Sequence, residues 1–249
     1  EHGNHELANF FGVRQLQVEV GFWEGKFTII RLFNKDGLLA KGDEIVAIDG
    51  ESIADKINRI SPYIPSSNVY NQNTGLCYNI LRTDKTLCEV SILRNGQTLE
   101  MKIETTEATP LYYVQRKDIP SHREISTDIG YIYPGNLRKN EIDTILDQYT
   151  DKKAIILDYR CYPSDFIQQK LVNFLYPYPR EAYKATFYDI NSLGSHFIVD
   201  NSKWSKYGSF NANYYKGKFI ILVNQYSSSQ PEFEAYVCRQ VPNVTIIGS

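Results

Sequence analysis

One stretch near the end of the sequence constrains the fold more than any other. It runs from Ile220 to Phe233 and reads IILVNQYSSSQPEF. Its four apolar residues predict a buried strand and the polar residues after them predict a tight turn. Pro231 suits the first turn of a helix, where its missing N–H costs nothing, and Glu232 suits the positive end of that helix. The sequence therefore predicts a strand–turn–helix that exposes a serine hydroxyl, although three serines before a helix also suit an ordinary cap.

Composition and charge exclude several classes of function. The 249 residues carry a formal net charge of −2, so no basic field would attract nucleic acid or an anionic membrane. Four cysteines are widely spaced and form no cluster with histidine, so we predict no metal and no cofactor. A Cys77–Cys88 disulfide stays open, but two buried thiols are favoured. The apolar runs are far shorter than a membrane-spanning helix.

The first part of the chain, from about 13 to 105, has the pattern of short strands and tight turns. Asp49-Gly50 and Asn95-Gly96 are two-residue hairpin turns, and a third turn is expected at residues 23–26. Apolar residues at Ile53, Ile57 and Ile60 predict a helix, because they recur at i, i+4 and i+7. The segment 62–74 is rich in Ser, Asn and Pro and is expected to be a loop.

The second part has the pattern of a parallel sheet with crossover helices. A strand is expected at 129–133, an amphipathic helix at 142–149 and a continuous apolar strand at 154–157. Strand, helix and strand in this order predict a parallel βαβ unit. Another helix is expected at 167–175, a hairpin or flap within 180–216, and a last parallel strand at 244–247.

Several motifs carry a resemblance to one family. The segment Asn224–Phe233 resembles the nucleophile segment of the tail-specific (C-terminal processing) and tricorn-core serine peptidases, the S41 family. In that family a strand ending in Val-Asn is followed by Ser or Thr, any residue, the nucleophilic Ser, two residues and Glu. The segment Gly37–Gly50 resembles the PDZ signature, and Ile129–Ile132 resembles the I-G-Y-I strand that opens the catalytic domain.

Two further segments match the family less closely. Asp158–Ser164 resembles the family's D-x-R-x-N-P-G-G, with Ser164 and Asp165 replacing the glycines. Asp158 and Arg160 are expected to form a structural ion pair rather than to act in catalysis. Asn4-His5 is the closest match to the segment that carries a catalytic histidine in tricorn-type members.

The resemblance implies a fold class of α+β and α/β. A small β-rich PDZ-like domain would be joined to an α/β peptidase domain of the ββα-crossover, crotonase-like type. The implied boundaries are an N-terminal segment of the peptidase domain at 1–12, the PDZ-like domain at 13–105, a connector at 106–128 and the peptidase domain at 129–249. The PDZ-like domain would capture or gate substrate by adding a peptide strand to a sheet edge.

The resemblance also implies the catalytic roles. Ser229 would be the nucleophile, the backbone N–H of Gln230 and one near Ser164 would hold the oxyanion, and Glu232 would support the site. The base would be His5, or a lysine that tail-specific members carry beyond the position of Ser249. The Ser-Gln-Pro-Glu context favours the histidine.

Alternatives from other classes remain open at this point. A catalytically inactive peptide-binding scaffold derived from such a peptidase is favoured by Ser164 and Asn4, and opposed by Ser229 and Glu232. An α/β enzyme acting on small molecules has no phosphate loop or metal cluster in its favour. The expected partner is a peptide or protein substrate, without nucleic acid or metal. An extracytoplasmic location, periplasmic or at the cell surface, is implied by the resemblance only, and an anchor outside the printed sequence stays open.

Overall fold

The computed structural model describes residues 5–33, 37–108, 116–199 and 206–248. The chain divides into two compact units, residues 1–114 and 115–249. Asn4 and residues 109–115 of the expected connector lie outside the described residues.

The first unit is a six-stranded sheet with three helices and a small second sheet. Its helices are α1 (His5–Phe11), α2 (Ile53–Ile60) and α3 (Val69–Asn79). Its strands are β1 (Arg14–Gln15), β2 (Val18–Trp23), β3 (Lys26–Leu32), β4 (Glu44–Ile48), β5 (Glu51–Ser52), β6 (Arg82–Thr83), β7 (Leu87–Arg94), β8 (Gln97–Glu104) and β9 (Thr106–Glu107). The larger sheet has the order β2-β3-β4-β7-β8, with β5 paired to β4, and β6-β1-β9 form the smaller one.

The predicted turns and core positions of this unit are confirmed. The β4–β5 and β7–β8 hairpins turn at Asp49-Gly50 and Asn95-Gly96, and all four residues have positive φ. Ile45 and Ile48 are both 1% exposed although they lie three positions apart, because a β-bulge between Ile45 and Ala47 shifts the register and turns both toward the core. The helix predicted at Ile53–Ile60 is α2.

The loop expected at 62–74 is wrong in its second half, where α3 begins at Val69. The Asn68 side chain caps this helix by accepting a hydrogen bond from the Asn71 N–H at 2.9 Å. The helix was missed because its sequence, VYNQNTGLCYN, has weak helix formers and no apolar stripe. α3 packs beside β2, the strand at one edge of the larger sheet.

The second unit has a five-stranded sheet with the order β10-β11-β12-β17-β18. Its helices are α4 (Ile142–Gln148), α5 (Gln168–Leu175) and α6 (Gln230–Cys238). Its strands are β10 (His122–Ser126), β11 (Ile129–Ile132), β12 (Ala154–Asp158), β13 (Arg180–Glu181), β14 (Ala185–Tyr188), β15 (His196–Val199), β16 (Lys206–Tyr207), β17 (Lys218–Val223) and β18 (Val244–Gly248). β11, β12, β17 and β18 are parallel, which confirms the predicted crossover unit.

The centre of this sheet is buried because its strands are almost wholly apolar. Ile155, Leu157, Phe219 and Ile221 are each 0% exposed. Asp158, the last residue of β12, lies beside Leu222 near the end of β17. Polar residues that follow these two strands therefore meet at the carboxyl edge of the sheet, where open α/β sheets place their sites.

The inward face of α6 is not a simple apolar stripe. Tyr236 is 40% exposed and Phe233 only half-buried. Ala235, Val237 and Cys238 form the buried face together with an ionisable residue, Glu234, which is 0% exposed. A carboxyl on the inward face of a core helix is unusual and requires partners.

Other expectations for this unit and for the thiols can be checked directly. The region 180–216 contains the β14–β15 hairpin and the short β13–β16 pair. All four cysteines are free, and Cys77 and Cys88 are buried thiols. Within the described residues, every helix is too short or too polar to span a lipid bilayer. Those residues also contain no group of three or more His, Cys, Asp or Glu side chains placed to hold a metal ion.

Candidate active site

Ser229 lies in the turn between β17 and α6, at the carboxyl edge of the parallel sheet. Its side chain is exposed, and its backbone has φ 63° and ψ −110°. An ordinary N-cap residue has extended backbone angles. A non-glycine residue in this sparsely populated region costs about 1–3 kcal/mol and persists only where its surroundings impose it. The backbone therefore distinguishes Ser229 from an ordinary helix cap.

The other positive-φ residues show how unusual this one is. Within the described residues, the remaining non-glycine positions with positive φ are Glu24, Asp49 and Asn95. Each is followed by glycine in a two-residue hairpin turn, which requires left-handed backbone at both positions. Ser229 is followed by Gln230 and a helix. A strained serine on a sharp strand-to-helix turn is the geometry that presents a nucleophilic hydroxyl in hydrolases.

Ser227 holds the turn in place. It is 7% exposed, and its hydroxyl donates to the Tyr159 carbonyl at 2.7 Å and accepts from the Asn224 N–H at 2.9 Å. Its own N–H donates to the Asn224 carbonyl. Because Tyr159 directly follows β12, this one side chain fastens the turn after β17 to the end of the neighbouring strand. Ser227 is thus a structural serine, which agrees with its assignment as the first hydroxyl residue of the segment.

Glu232 and Gln230 complete the first turn of α6. The Glu232 carboxylate accepts a hydrogen bond from the Ser229 N–H at 2.8 Å, which is one half of a capping box. Pro231 is buried beside them. Gln230 is the first helical residue, so its backbone N–H has no partner inside the helix and is available to an anion.

Asp158 and Arg160 form the expected ion pair at the end of β12. Arg160 Nε and Nη2 donate to the two Asp158 oxygens at 2.9 and 2.8 Å, and the Tyr131 hydroxyl donates to the same carboxylate at 2.7 Å. Burial of Asp158 disfavours its charged form. The hydrogen bonds from Arg160 and Tyr131 outweigh this effect and hold the pKa of Asp158 below its ordinary value. With both oxygens occupied, Asp158 is a structural anion.

The oxyanion role assigned to Ser164 is not met in this structure. The Ser164 N–H donates to the Pro134 carbonyl at 3.0 Å, and its hydroxyl donates to the carbonyls of Pro134 and Leu137. An N–H that is already used inside the protein cannot also hold a reacting oxygen. The serine side chain thereby anchors this loop to the segment after β11.

Cys161, in the loop after β12, is a second candidate nucleophile at this edge of the sheet. Burial raises the pKa of its thiol to about 12, and its Sγ lies 3.4 Å from the Asp158 carbonyl oxygen. Since the thiolate is the reactive form, a thiol that stays protonated at neutral pH is a poor nucleophile. The chemistry of this edge of the sheet therefore favours the serine.

The histidines do not settle the identity of the base. His5 begins α1, and its side chain lies outside the described residues. His122 is in β10, where its Nδ1 lies 3.2 Å from the Ser121 hydroxyl. His196 is in β15 against the Tyr188 ring. The assignment of His5 stays a prediction.

Sequence reasoning missed a polar cluster under the first turn of α6. Glu234 accepts a hydrogen bond from the Gln230 side-chain amide, and the backbone N–H of Gln168, the first residue of α5, faces its carboxyl group. Burial raises the pKa of Glu234 to about 8. The only signal in the sequence was a glutamate among inward-facing apolar residues, four positions after Gln230.

Comparison with known proteins identifies the fold. No protein-family model matches the chain, and no curated protein matches it. Among solved structures, mature CPAF complexed with lactacystin matches with a TM-score of 0.66 at 12% identity, over 95% of this chain and 69% of that one. A serine-to-alanine mutant of CPAF matches with a TM-score of 0.65 at 11% identity, over the same shares. The photosystem II D1 C-terminal processing protease matches with a TM-score of 0.38 at 12% identity, over 94% of this chain and 60% of that one.

The mixed α/β fold of this chain is thus similar to that of the CPAF structures. At 11–12% identity, the likeness concerns the fold, so the argument for activity must come from the site itself.

Proposed function

We propose that this chain carries the nucleophile of a serine peptidase that cleaves peptide or protein substrates. The observation that carries the proposal is the backbone of Ser229, which is strained, exposed and placed after a central parallel strand. A structural cap would gain nothing from this strain, whereas a nucleophile needs its hydroxyl lifted clear of the turn. The peptidase fold of the CPAF structures supports the same reading.

In the proposed reaction the Ser229 hydroxyl attacks the carbonyl carbon of a peptide bond. A base removes the hydroxyl proton during the attack, because a serine is a weak nucleophile without one. The Gln230 N–H, at the positive end of α6, stabilises the negative charge that develops on the carbonyl oxygen. The proton then passes to the leaving amine, and water hydrolyses the acyl-enzyme by the same route. His5 is the proposed base.

Labelling by a fluorophosphonate probe tests this proposal, because the probe reacts covalently with activated serines. The full-length protein is compared with Ser229→Ala and with Ser228→Ala, its exposed neighbour, as the matched control. We expect labelling of the wild type and of Ser228→Ala, and none of Ser229→Ala. Folded wild-type protein that stays unlabelled would contradict the proposal and favour the peptide-binding scaffold.

The same assay tests the base. His5→Ala is compared with His196→Ala, which removes a histidine from the second unit. Loss of labelling in His5→Ala alone supports a Ser/His pair. Labelling that survives in both variants would assign the base to another residue, such as a lysine after Ser249.

We further propose that the first unit is PDZ-like and captures substrate. β2 is an edge strand of the six-stranded sheet, and α3 packs beside it, so an extended peptide could pair with β2 along α3. Hydrogen exchange with and without a substrate peptide should show slower exchange in 18–23 and 69–79. β8, the opposite edge strand, is the control, and protection there instead would contradict this mode of capture. We also propose that the protein has an extracytoplasmic location, which cell fractionation tests.

A further inference from the structure

The carboxyl group of Glu234 joins the first residues of two helices. Its Oε1 accepts a hydrogen bond from the Gln230 side chain, and Gln230 is the first residue of α6. The backbone N–H of Gln168, the first residue of α5, faces the same carboxyl group. The two helices pack against each other. One buried side chain thus connects the helix after Ser229 to the helix after the 159–167 loop.

The cluster around this carboxyl group is only partly satisfied. Gln230 Nε2 also lies 3.5 Å from Gln168 Oε1. In the described structure, the buried Oε2 of Glu234 has no hydrogen-bond partner, and the buried Nε2 of Gln168 lies near the Tyr207 hydroxyl without forming a hydrogen bond of good geometry. Buried polar atoms without partners are destabilising, so a purely structural contact would be better made by apolar side chains. An unsatisfied donor and acceptor in one cluster indicate a polar link kept for another reason.

The cationic side chains on the elements packed against α6 do not form an ion pair with Glu234. Cys238, one turn further along α6, is a buried thiol whose pKa is raised by burial and by the Glu234 charge. Tyr207 of β16 faces the Gln168 amide. On the other elements that pack against α6, Lys170 of α5 pairs with Asp143, and Lys218 at the start of β17 is exposed. Burial therefore raises the pKa of the Glu234 carboxyl to about 8, which favours its neutral form at pH 7.

We propose that Glu234 is a positioning residue that fixes the turn carrying Ser229 and Gln230 against the first turn of α5. This inference rests on the proposed peptidase function. The Gln230 N–H can stabilise an oxyanion only if it points at the reacting carbonyl, and a misplacement of about 1 Å can cost a hundredfold in rate. Glu234 acts through Gln230 and does not itself touch the substrate.

The link is expected to respond to pH. When Glu234 loses its proton, the carboxylate draws both N–H donors more strongly, because charge-assisted hydrogen bonds are shorter than neutral ones. The rate of labelling at Ser229 should therefore change between pH 7 and 9. Glu234→Gln keeps an acceptor oxygen but cannot ionise, so it should label at a rate near that of the wild type at pH 7 and should lose the change that occurs near pH 8.

Three variants of the full-length protein test the proposal. Glu234→Leu removes the polar link while keeping volume, Glu234→Gln keeps it in neutral form, and Cys238→Ala removes a different buried group from the same helix. Hydrogen exchange is measured on peptides covering 164–170 and 227–232, and fluorophosphonate labelling is measured across pH 6 to 9.

We expect Glu234→Leu to speed exchange in both segments together and to slow labelling about tenfold or more. Cys238→Ala should leave labelling unchanged and should speed exchange only uniformly, through a general loss of stability. Glu234→Gln should show the exchange and labelling of the wild type at pH 7. Unchanged exchange in either segment of Glu234→Leu would overturn the proposal, and so would the same pattern in Cys238→Ala. Because exchange needs no catalysis, an unlabelled wild type would refute the peptidase function and leave the exchange result to decide on positioning.

Discussion

The two units of this protein place residues in left-handed backbone by different means. In the first unit, Glu24, Asp49 and Asn95 each precede a glycine in a two-residue hairpin turn, and the turn type itself demands positive φ. In the second unit, Ser229 reaches φ 63° without a glycine on either side. Its conformation is imposed by contacts to other elements. The hairpins are local solutions that a short sequence specifies, whereas the turn at Ser229 depends on the fold around it.

Three contacts hold that turn. Ser227 ties it to the end of β12, Glu232 holds the Ser229 N–H, and Glu234 ties Gln230 to α5. A turn held by tertiary contacts can store strain that a hairpin of Asn-Gly type never experiences. This difference makes specific predictions for each set of contacts.

The largest effect is expected at Glu234. Its pKa in the folded protein, about 8, lies above the ordinary value of 4.5. Between these values the folded state binds more protons than the unfolded state, so stability falls as pH rises from about 4.5 to 8 and then levels off. At about 1.4 kcal/mol per pH unit, the loss is at most about 5 kcal/mol. Glu234→Gln should remove this dependence.

Urea unfolding at pH 4.5, 6, 7 and 9 measures that prediction. The wild type and Glu234→Gln should have similar free energies of unfolding at pH 4.5, and the variant should be more stable by several kcal/mol at pH 9. Parallel curves for the two proteins would show that the carboxyl is not buried as described. Cys238→Ala is the control for general effects on α6.

A smaller loss is expected at Ser227. Ser227→Ala leaves the Tyr159 carbonyl and the Asn224 N–H without the hydroxyl that joins them. Buried polar groups left unpaired cost about 1–3 kcal/mol, so the free energy of unfolding should fall by about 2–3 kcal/mol. Chemical denaturation measures it. Ser228→Ala, one residue on and exposed, should stay within about 0.5 kcal/mol, and an equal loss there would contradict the bridging role.

The sequence predicted well the parts of the molecule that local rules determine. The Asp49-Gly50 and Asn95-Gly96 turns, the α2 helix and the apolar strand before Ser229 all follow from short-range pattern, and the structure has them. Helix α3 was missed because its residues favour no structure strongly, so Asn68 and packing against β2 decide it.

The features of the site that the sequence could not predict have a common physical reason. The role of Ser164 depends on where its N–H points, and the nearby Pro134 carbonyl decides that. The burial of Glu234 depends on Gln168, which lies more than sixty positions away. Lys56 shows the same effect in the first unit, because it is 3% exposed with its Nζ on the Arg82 carbonyl, and burial lowers its pKa to about 8. Periodicity can predict a face of a helix but not which long-range partner lies against it.

A gain in stability is expected when the strain at Ser229 is relieved. Glycine adopts positive φ without cost, so Ser229→Gly should recover part of the 1–3 kcal/mol of strain. The more flexible unfolded chain offsets about 0.4–1 kcal/mol of that gain. We expect a net stabilisation of about 1 kcal/mol together with complete loss of labelling. Thermal unfolding measures the first result, and a loss of stability would show that the turn is unstrained.

The smallest effect is expected at Asn95, the matching position in a hairpin of the first unit. Asparagine tolerates left-handed backbone because its side chain can hydrogen-bond locally, so little strain is stored there. Asn95→Gly should therefore change the free energy of unfolding by no more than about 0.5 kcal/mol. The informative quantity is the difference between Ser229→Gly and Asn95→Gly, since both exchange a positive-φ residue for glycine in the same protein. Equal effects would mean that the two turns are alike and that Ser229 stores no strain for catalysis.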